Sequence, residues 1–103
     1  MSLDYNPWNE VRKNFLVALY TQVQYPADAR VNKIQGKVLI GMEIDEAGEI
    51  QETFVGKGLL PSIDKEALYA TRRAAQKFKL SPAKQDGAPV PITLVFPVTF
   101  KLE

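Results

Sequence analysis

Five acidic side chains lie close together in the first half of the chain, and carboxylates are the groups that bind metal ions or move protons in many enzymes. They are Glu43, Asp45, Glu46, Glu49 and Glu52. The stretch Asp45-Glu-Ala-Gly48 among them has turn composition, with a glycine to supply a positive φ. The tip of a hairpin faces solvent, and neighbouring strand residues point to opposite faces. The cluster therefore indicates a solvated hairpin rather than a metal site or an acid–base site.

Two residue types that carry much of protein chemistry, histidine and cysteine, are missing from all 103 residues. Without cysteine the chain cannot form disulfides or thiolate metal sites. Without histidine it cannot build the usual transition-metal sites, the serine–histidine–aspartate triad or the cysteine–histidine pair. No other polar constellation converges in the pattern. The sequence therefore predicts a protein that is not an enzyme, with no catalytic residues, no cofactor and no metal.

A basic run in the second half of the chain raises the question of nucleic acid. It comprises Arg72, Arg73, Lys77 and Lys79. These residues lie at the end of a predicted helix, where positive charge complements the helix dipole. The formal net charge at pH 7 is only +1, and no aromatic residues are interleaved with the run. A nucleic-acid partner is therefore not predicted.

Hydrophobic spacing predicts a first helix over residues 7–24, capped by Asn6. Its apolar residues recur at helical spacing and form one stripe: Trp8, Val11, Phe15, Leu16, Leu19, Tyr20 and Val23. We interpret this stripe as the face that packs on a sheet. The alternative is a helix that docks on another chain, with Trp8 as its anchor.

Two strands and a second helix follow. Lys37–Ile44 and Glu49–Gly56 predict a hairpin around the acidic turn. The first of these strands is the more apolar, as expected of a central strand. Ser62 is predicted to cap a helix that extends to Lys77. The segment Ala83–Pro89 is predicted to be a loop.

The terminal stretch Pro91–Leu102 alternates between apolar and polar residues, as a strand with one buried face does. Pro97 lies in its middle and has no N–H to give to a ladder, so it is tolerated mainly on an edge strand or at a bulge. An unpaired edge is either protected or used to bind another strand. We therefore predict an edge strand, with these residues presenting their backbone outward: Thr93, Val95, Pro97 and Thr99.

These elements predict an α+β domain of two layers. It has a three-stranded antiparallel sheet of order 2-1-3 with two helices on one face, in the element order α-β-β-α-β. The other face of the sheet is expected to carry Leu39, Val55 and Val95 among polar residues.

The length of 103 residues predicts a single domain. Within 1–103, we expect residues 1–24 to be an N-terminal helix extension and residues 25–102 to be the core. We interpret Met1–Leu3 as a remnant of cloning, with Leu102-Glu103 including vector sequence. The chain would then be a domain excised from a longer protein.

Four stretches of the chain form a recognisable set: Tyr25-Pro-Ala-Asp-Ala29, the hairpin Gly36–Ile50, the helix end Phe78-Lys-Leu-Ser-Pro82, and Asp86-Gly-Ala-Pro-Val90 before the terminal strand with Pro97. They span about residues 25–102, and in this order and spacing they are fairly specific. Taken together, they resemble the C-terminal domain of TonB, the periplasmic energy transducer of diderm bacteria. Phe78 stands where many members of that family carry tryptophan, which we interpret as a packing change.

The resemblance implies a peptide-binding domain in the periplasm, on a protein anchored in the inner membrane and engaging a proton-driven motor complex. It implies that the domain binds a short peptide, the TonB box, at the plug of an outer-membrane transporter and so drives active uptake. The peptide would add as a strand to the terminal strand. The partner-binding residues would then be Pro91, Ile92, Thr93, Leu94, Val95, Phe96, Pro97, Val98, Thr99 and Phe100.

The resemblance leaves two alternatives open. The same fold occurs as a sensor or interaction domain appended to another inner-membrane protein, such as an antibiotic-sensing membrane peptidase. An exposed edge strand also allows the domain to pair with itself as a homodimer.

Overall fold

The computed structural model describes residues 3–102. Met1, Ser2 and Glu103 lie outside the described residues, and so does the part of the cloning-remnant interpretation that concerns them. The helices are α1 (Trp8–Gln22), α2 (Ala27–Val31) and α3 (Pro61–Ala75), and the strands are β1 (Gly36–Ile44), β2 (Ile50–Lys57), β3 (Ala83–Gln85), β4 (Ala88–Val90) and β5 (Ile92–Phe100).

A three-stranded antiparallel sheet in the order β2-β1-β5 forms one layer of the domain. It corresponds to the predicted order 2-1-3, with the apolar strand in the centre and the terminal strand at an edge. Helices α1 and α3 cover one face of the sheet and bury a single core. The predicted two-layer α+β fold is confirmed.

The core forms where alternate strand residues meet the buried stripes of the two helices. Because successive strand residues point to opposite faces, every second residue of β1 and β5 lies on the helix side. Alanine dominates the buried stripe of α3, and small side chains let a helix lie close to a sheet. The buried residues are Val38, Ile40, Met42 and Ile44 of β1, Leu94, Phe96, Val98 and Phe100 of β5, Trp8, Phe15 and Leu19 of α1, and Ile63, Ala67, Ala70, Thr71 and Ala74 of α3.

An aromatic cluster fixes α1 against β5. The Trp8 ring stacks on Phe96 with 5.3 Å between ring centroids. The Phe15 ring meets Trp8 at 5.4 Å and Phe96 at 5.8 Å, both edge to face. Phe78, after α3, lies 5.3 Å from Phe15. Such pairs add about 0.5–1.5 kcal/mol each beyond the burial of their area. The terminal strand is therefore held firmly on its inner face.

On the outer face of the sheet the structure differs from the expectation for Val55. Val55 lies opposite Ile40 and packs toward the helices, while Phe54 lies opposite Gly41 on the outer face. The partners of Glu43 and Ile44 are Glu52 and Ile50, so β2 has one extra residue there, which reverses which of its side chains face the core. A Cβ at Gly41 would lie only 2.3 Å from the Phe54 ring, so the ring covers a position that only glycine leaves open.

The expectation of a loop over Ala83–Pro89 is partly wrong, because β3 and β4 pair around the turn. Asp86 and Gly87 both have positive φ, 53° and 79°. Two such residues make the two-residue turn that suits the twist of a hairpin. The chain start joins this hairpin, since the Lys84 N–H donates to the Tyr5 carbonyl at 3.0 Å. Strands this short carry too little alternation to be recognised in a sequence.

The expectation that Ser62 caps α3 is wrong. The helix begins at Pro61, a residue suited to a first turn because it has no N–H to satisfy. An Asp64 carboxylate oxygen accepts the N–H of Leu59 at 2.7 Å, while the Ser62 hydroxyl donates to Asp28. Asp64 thus ties the preceding loop to the helix start.

Gly48 in the β1–β2 turn is expected to be more sensitive to substitution than Gly87. Both have positive φ, so alanine at either position costs about 1–2 kcal/mol. A Cβ at Gly48 would also lie 2.1 Å from the Leu80 carbonyl oxygen, whereas a Cβ at Gly87 meets nothing within 4 Å. Urea unfolding of Gly48→Ala and Gly87→Ala should give a larger loss of unfolding free energy for Gly48→Ala. Equal losses would show that the contact with Leu80 relaxes freely.

Candidate functional site

One side of the β5 backbone has no strand beside it. β5 pairs with β1 from Ile92 opposite Ile44 to Phe100 opposite Gly36, without a register shift. Among residues 3–102, no strand pairs with the other side of β5. We call the backbone groups on that side, those of Thr93, Val95, Pro97 and Thr99, the outward edge.

A single hydrogen bond identifies which residues of β5 face outward. The N–H of Thr99 donates to the Tyr20 hydroxyl of α1 at 2.9 Å, so it points away from β1. In a strand, the N–H and C=O of one residue point to the same side, and successive residues alternate. Because the register is unbroken, Thr93, Val95 and Pro97 face the same way as Thr99. The alternation in the sequence indicates the same four residues.

The ten residues expected to bind a partner form one continuous stretch but divide into two groups. The side chains of Leu94, Phe96, Val98 and Phe100 are buried in the core, and Ile92 is half-buried. The four buried side chains position the strand, because they pack in the core and not at the surface. The side chains of Pro91, Thr93, Val95, Pro97 and Thr99 are exposed, Val95 by 57%.

Pro97 stands on the outward edge and not on the side paired with β1. Its missing N–H therefore removes no bond from the β1–β5 ladder, which explains how proline sits inside a regular strand. It lies opposite Leu39 of β1. The free edge consequently offers N–H donors at Thr93 and Val95, while the donor of Thr99 is taken by Tyr20.

The opposite edge of the sheet, on β2, is less suited to pairing. The β1–β2 ladder has two register shifts, which bend the strand. Arg72 of α3 reaches this strand and donates from Nε to the Thr53 hydroxyl at 2.8 Å and from Nη2 to the Thr53 carbonyl at 3.4 Å. The β5 edge is therefore regular, with its outward N–H of Thr99 held by Tyr20, whereas the β2 edge is irregular.

Tyr25 holds the end of β5 in place. Its hydroxyl donates to the Ile34 carbonyl, and its ring meets Phe100 edge to face at 5.6 Å. The Leu102 N–H donates to the Gln35 side chain at 2.7 Å just beyond the strand. The sequence did not predict these contacts, because Tyr25 entered the prediction only as part of the stretch Tyr25–Ala29 that resembles the family.

The acidic cluster serves the turn between β1 and β2. The Asp45 carboxylate accepts the N–H groups of Ala47 and Glu49, each at 2.9 Å, and the Gln51 amide at 2.7 Å. Glu43 and Glu52 form a cross-strand pair away from the turn. Within residues 3–102, no three acidic side chains are grouped so that they could hold a metal ion.

Two residues of the basic run, Arg72 and Arg73, are likewise engaged within the domain. Besides the bonds of Arg72 to Thr53, Arg73 forms an ion pair with Glu66 at 3.4 Å.

Near the start of α1, the Tyr5 hydroxyl donates to the Glu10 carboxylate at 2.5 Å, which raises the pKa of Tyr5. No helix in the described part of the chain combines the length and apolarity needed to cross a membrane.

Comparisons with known proteins find matches both in sequence and in fold. Residues 21–102 match the family described as Gram-negative bacterial TonB protein C-terminal. The chain is 33% identical over 94 residues to Protein TonB of Vibrio cholerae serotype O1, and the match covers 90% of this chain and 37% of that protein. The chain therefore spans little more than a third of the length of this relative.

The solved structures that share the fold include two NMR solution structures of the Helicobacter pylori TonB-CTD, each 24% identical to this chain. One has a TM-score of 0.71 and covers 92% of this chain and 83% of that one. The other has a TM-score of 0.65 and covers 90% and 95%. The match over residues 21–102, together with this shared fold, shows that the chain belongs to the TonB C-terminal domain family.

Proposed function

We propose that this chain is the peptide-binding domain of a TonB-like energy transducer, and that it binds a TonB box as an added strand on β5. The TonB box is the short segment at the plug of an outer-membrane transporter. Within a longer protein anchored in the inner membrane and coupled to a proton-driven motor complex, the bound strand would carry force to the plug and drive uptake. The proposed role uses no catalytic residue, cofactor or nucleic acid.

The unpaired and regular side of β5 is the observation that carries this proposal. Its ladder with β1 has no register shift, so its outward groups keep the even spacing that a further strand needs. The β2 edge has two register shifts and is partly covered by Arg72. A strand that extends the sheet therefore fits at β5.

The energetics also favour this edge. The inner face of β5 is fixed by the stacking of Phe96 on Trp8, so the strand is ordered before a partner arrives. Only the peptide must then lose conformational freedom. Each new backbone hydrogen bond contributes about 0.5–1.5 kcal/mol, and several bonds across one ladder share a load. A moderate affinity with a strong collective resistance to pulling suits a transducer that binds and releases.

Substitution of Val95 tests the role of the outward edge. The Val95 N–H faces outward and its side chain is exposed, so Val95→Pro removes one donor without breaking the β1–β5 ladder. Val95→Thr keeps the N–H and serves as the matched control. In NMR titrations with TonB-box peptides, we expect Val95→Pro to weaken binding about twofold to tenfold and Val95→Thr to leave the dissociation constant nearly unchanged.

Equal dissociation constants for the two folded variants would contradict strand addition at this edge. If the unsubstituted chain shows no peptide-induced shifts over residues 91–100 even at high peptide concentration, the transducer role fails. The alternative of an appended sensor or interaction domain would then be favoured.

Pro97 also limits pairing of the domain with itself. If the outward edges of two copies paired, each copy would lack the backbone N–H donor at Pro97. Proline on an edge strand is a known protection against such association. We expect Pro97→Thr to restore the donor and increase dimer formation, which sedimentation velocity measures over a range of concentrations. Unchanged sedimentation would show that this proline does not control self-association.

A further inference from the structure

Helix α1 has a second face that is mostly exposed, with only the half-buried Leu16 on it packing against the core among the described residues. The buried face comprises Trp8, Phe15 and Leu19. A second stripe, at the spacing of three and four residues that defines one side of a helix, lines a surface groove of about 740 Å³. Its residues are Asn9, Arg12, Lys13, Leu16, Val17, Tyr20 and Thr21.

This groove borders the outward edge of β5. Tyr20 lines the groove, and its hydroxyl accepts the Thr99 N–H at 2.9 Å. Near the other end of α1, Trp8 stacks on Phe96, so the helix runs beside the strand. Arg12 and Leu16 precede Tyr20 by two turns and one turn on the same stripe. They therefore lie alongside the part of β5 that precedes Thr99.

The groove combines apolar surface with positive charge. Val17 is 57% exposed and Tyr20 is 42% exposed. The half-buried Leu16 lies one helical turn before Tyr20 and one turn after Arg12. Arg12 and Lys13 are exposed, and neither forms an ion pair within residues 3–102. Glu10, the nearby acid on α1, accepts a hydrogen bond from Tyr5. The groove thus presents an apolar centre beside two positive charges that have no ionic partner among the described residues.

We propose that the groove on α1 is the side wall of the strand-binding site and selects the strand that docks there. This inference rests on the proposed function, strand addition to β5. An added strand points every second side chain toward the helix layer. Those side chains would meet α1, and the partner that fits is an extended peptide carrying apolar and acidic side chains on that side.

Tyr20 also sets where such a peptide ends. The Thr99 donor is already occupied by Tyr20, so a docking strand finds its free donors at Thr93 and Val95. Trp8, at the start of α1, stacks on Phe96, so a peptide that pairs at Thr93 and Val95 and continues toward Thr99 passes the section of α1 that carries Arg12 and Lys13. The two donors and the two positive charges consequently act on neighbouring parts of the same peptide.

A charge reversal on α1 tests this inference with two synthetic probes. The probes are short peptides of alternating valine and threonine, one with glutamates and the other with lysines at the positions that face α1. We expect the unsubstituted chain to bind the glutamate peptide about threefold to tenfold more tightly. The double variant Arg12→Glu, Lys13→Glu should lose or invert this preference. The matched control Lys77→Glu, Lys79→Glu changes the same charge beyond α3 and should keep it.

NMR shifts of Thr93 and Val95 report binding at β5 separately from the preference between peptides. If both peptides bind there and the α1 variant keeps the glutamate preference, the inference about the groove is overturned and strand addition stands. If neither peptide shifts these residues in the unsubstituted chain, strand addition fails and the inference fails with it. A preference that weakens in high salt in the unsubstituted chain supports the charge contact.

Discussion

The terminal strand β5 can complete its hydrogen bonding on one side only, and the rest of the domain is arranged around this constraint. β1 satisfies one side through an unbroken ladder. The inward side chains of β5 pack in the core, where Phe96 contacts Trp8 and Phe15. The outward edge remains, with Tyr20 closing one end and proline removing one donor. A strand that is fixed on two sides and open on the third is a ready template for another strand.

Helix α1 connects the fold to the candidate site. Its buried stripe supplies aromatic packing that holds β5, and its second stripe lines the groove beside the outward edge. The same helix thus determines the position of the strand and the chemistry next to it. Trp8 belongs to the buried stripe and is a core residue, since it is 9% exposed and stacks within its own domain. The alternative that Trp8 anchors the helix on another chain therefore finds no support.

Much of this arrangement is predictable from the sequence, because the decisive patterns are local. The alternation over β1 and β5 identifies their buried faces, and Pro97 identifies an edge. The face of Val55 was not predictable, since an extra residue in β2, Gln51, reverses the alternation of that strand and leaves no mark in composition. The role of Tyr20 was also hidden: its spacing fits an apolar stripe, and only the packing of α1 beside β5 brings its hydroxyl to Thr99.

Amide hydrogen exchange of the labelled chain, with and without a TonB-box peptide, tests strand addition most directly. In the free chain, the outward amides of Thr93 and Val95 should exchange rapidly, whereas the amides of Leu94 and Phe96, which face β1, should be protected. Peptide binding should slow exchange at Thr93 and Val95 and leave the other two nearly unchanged. Protection that appears along β2, with Thr93 and Val95 still exchanging rapidly, would contradict strand addition to β5.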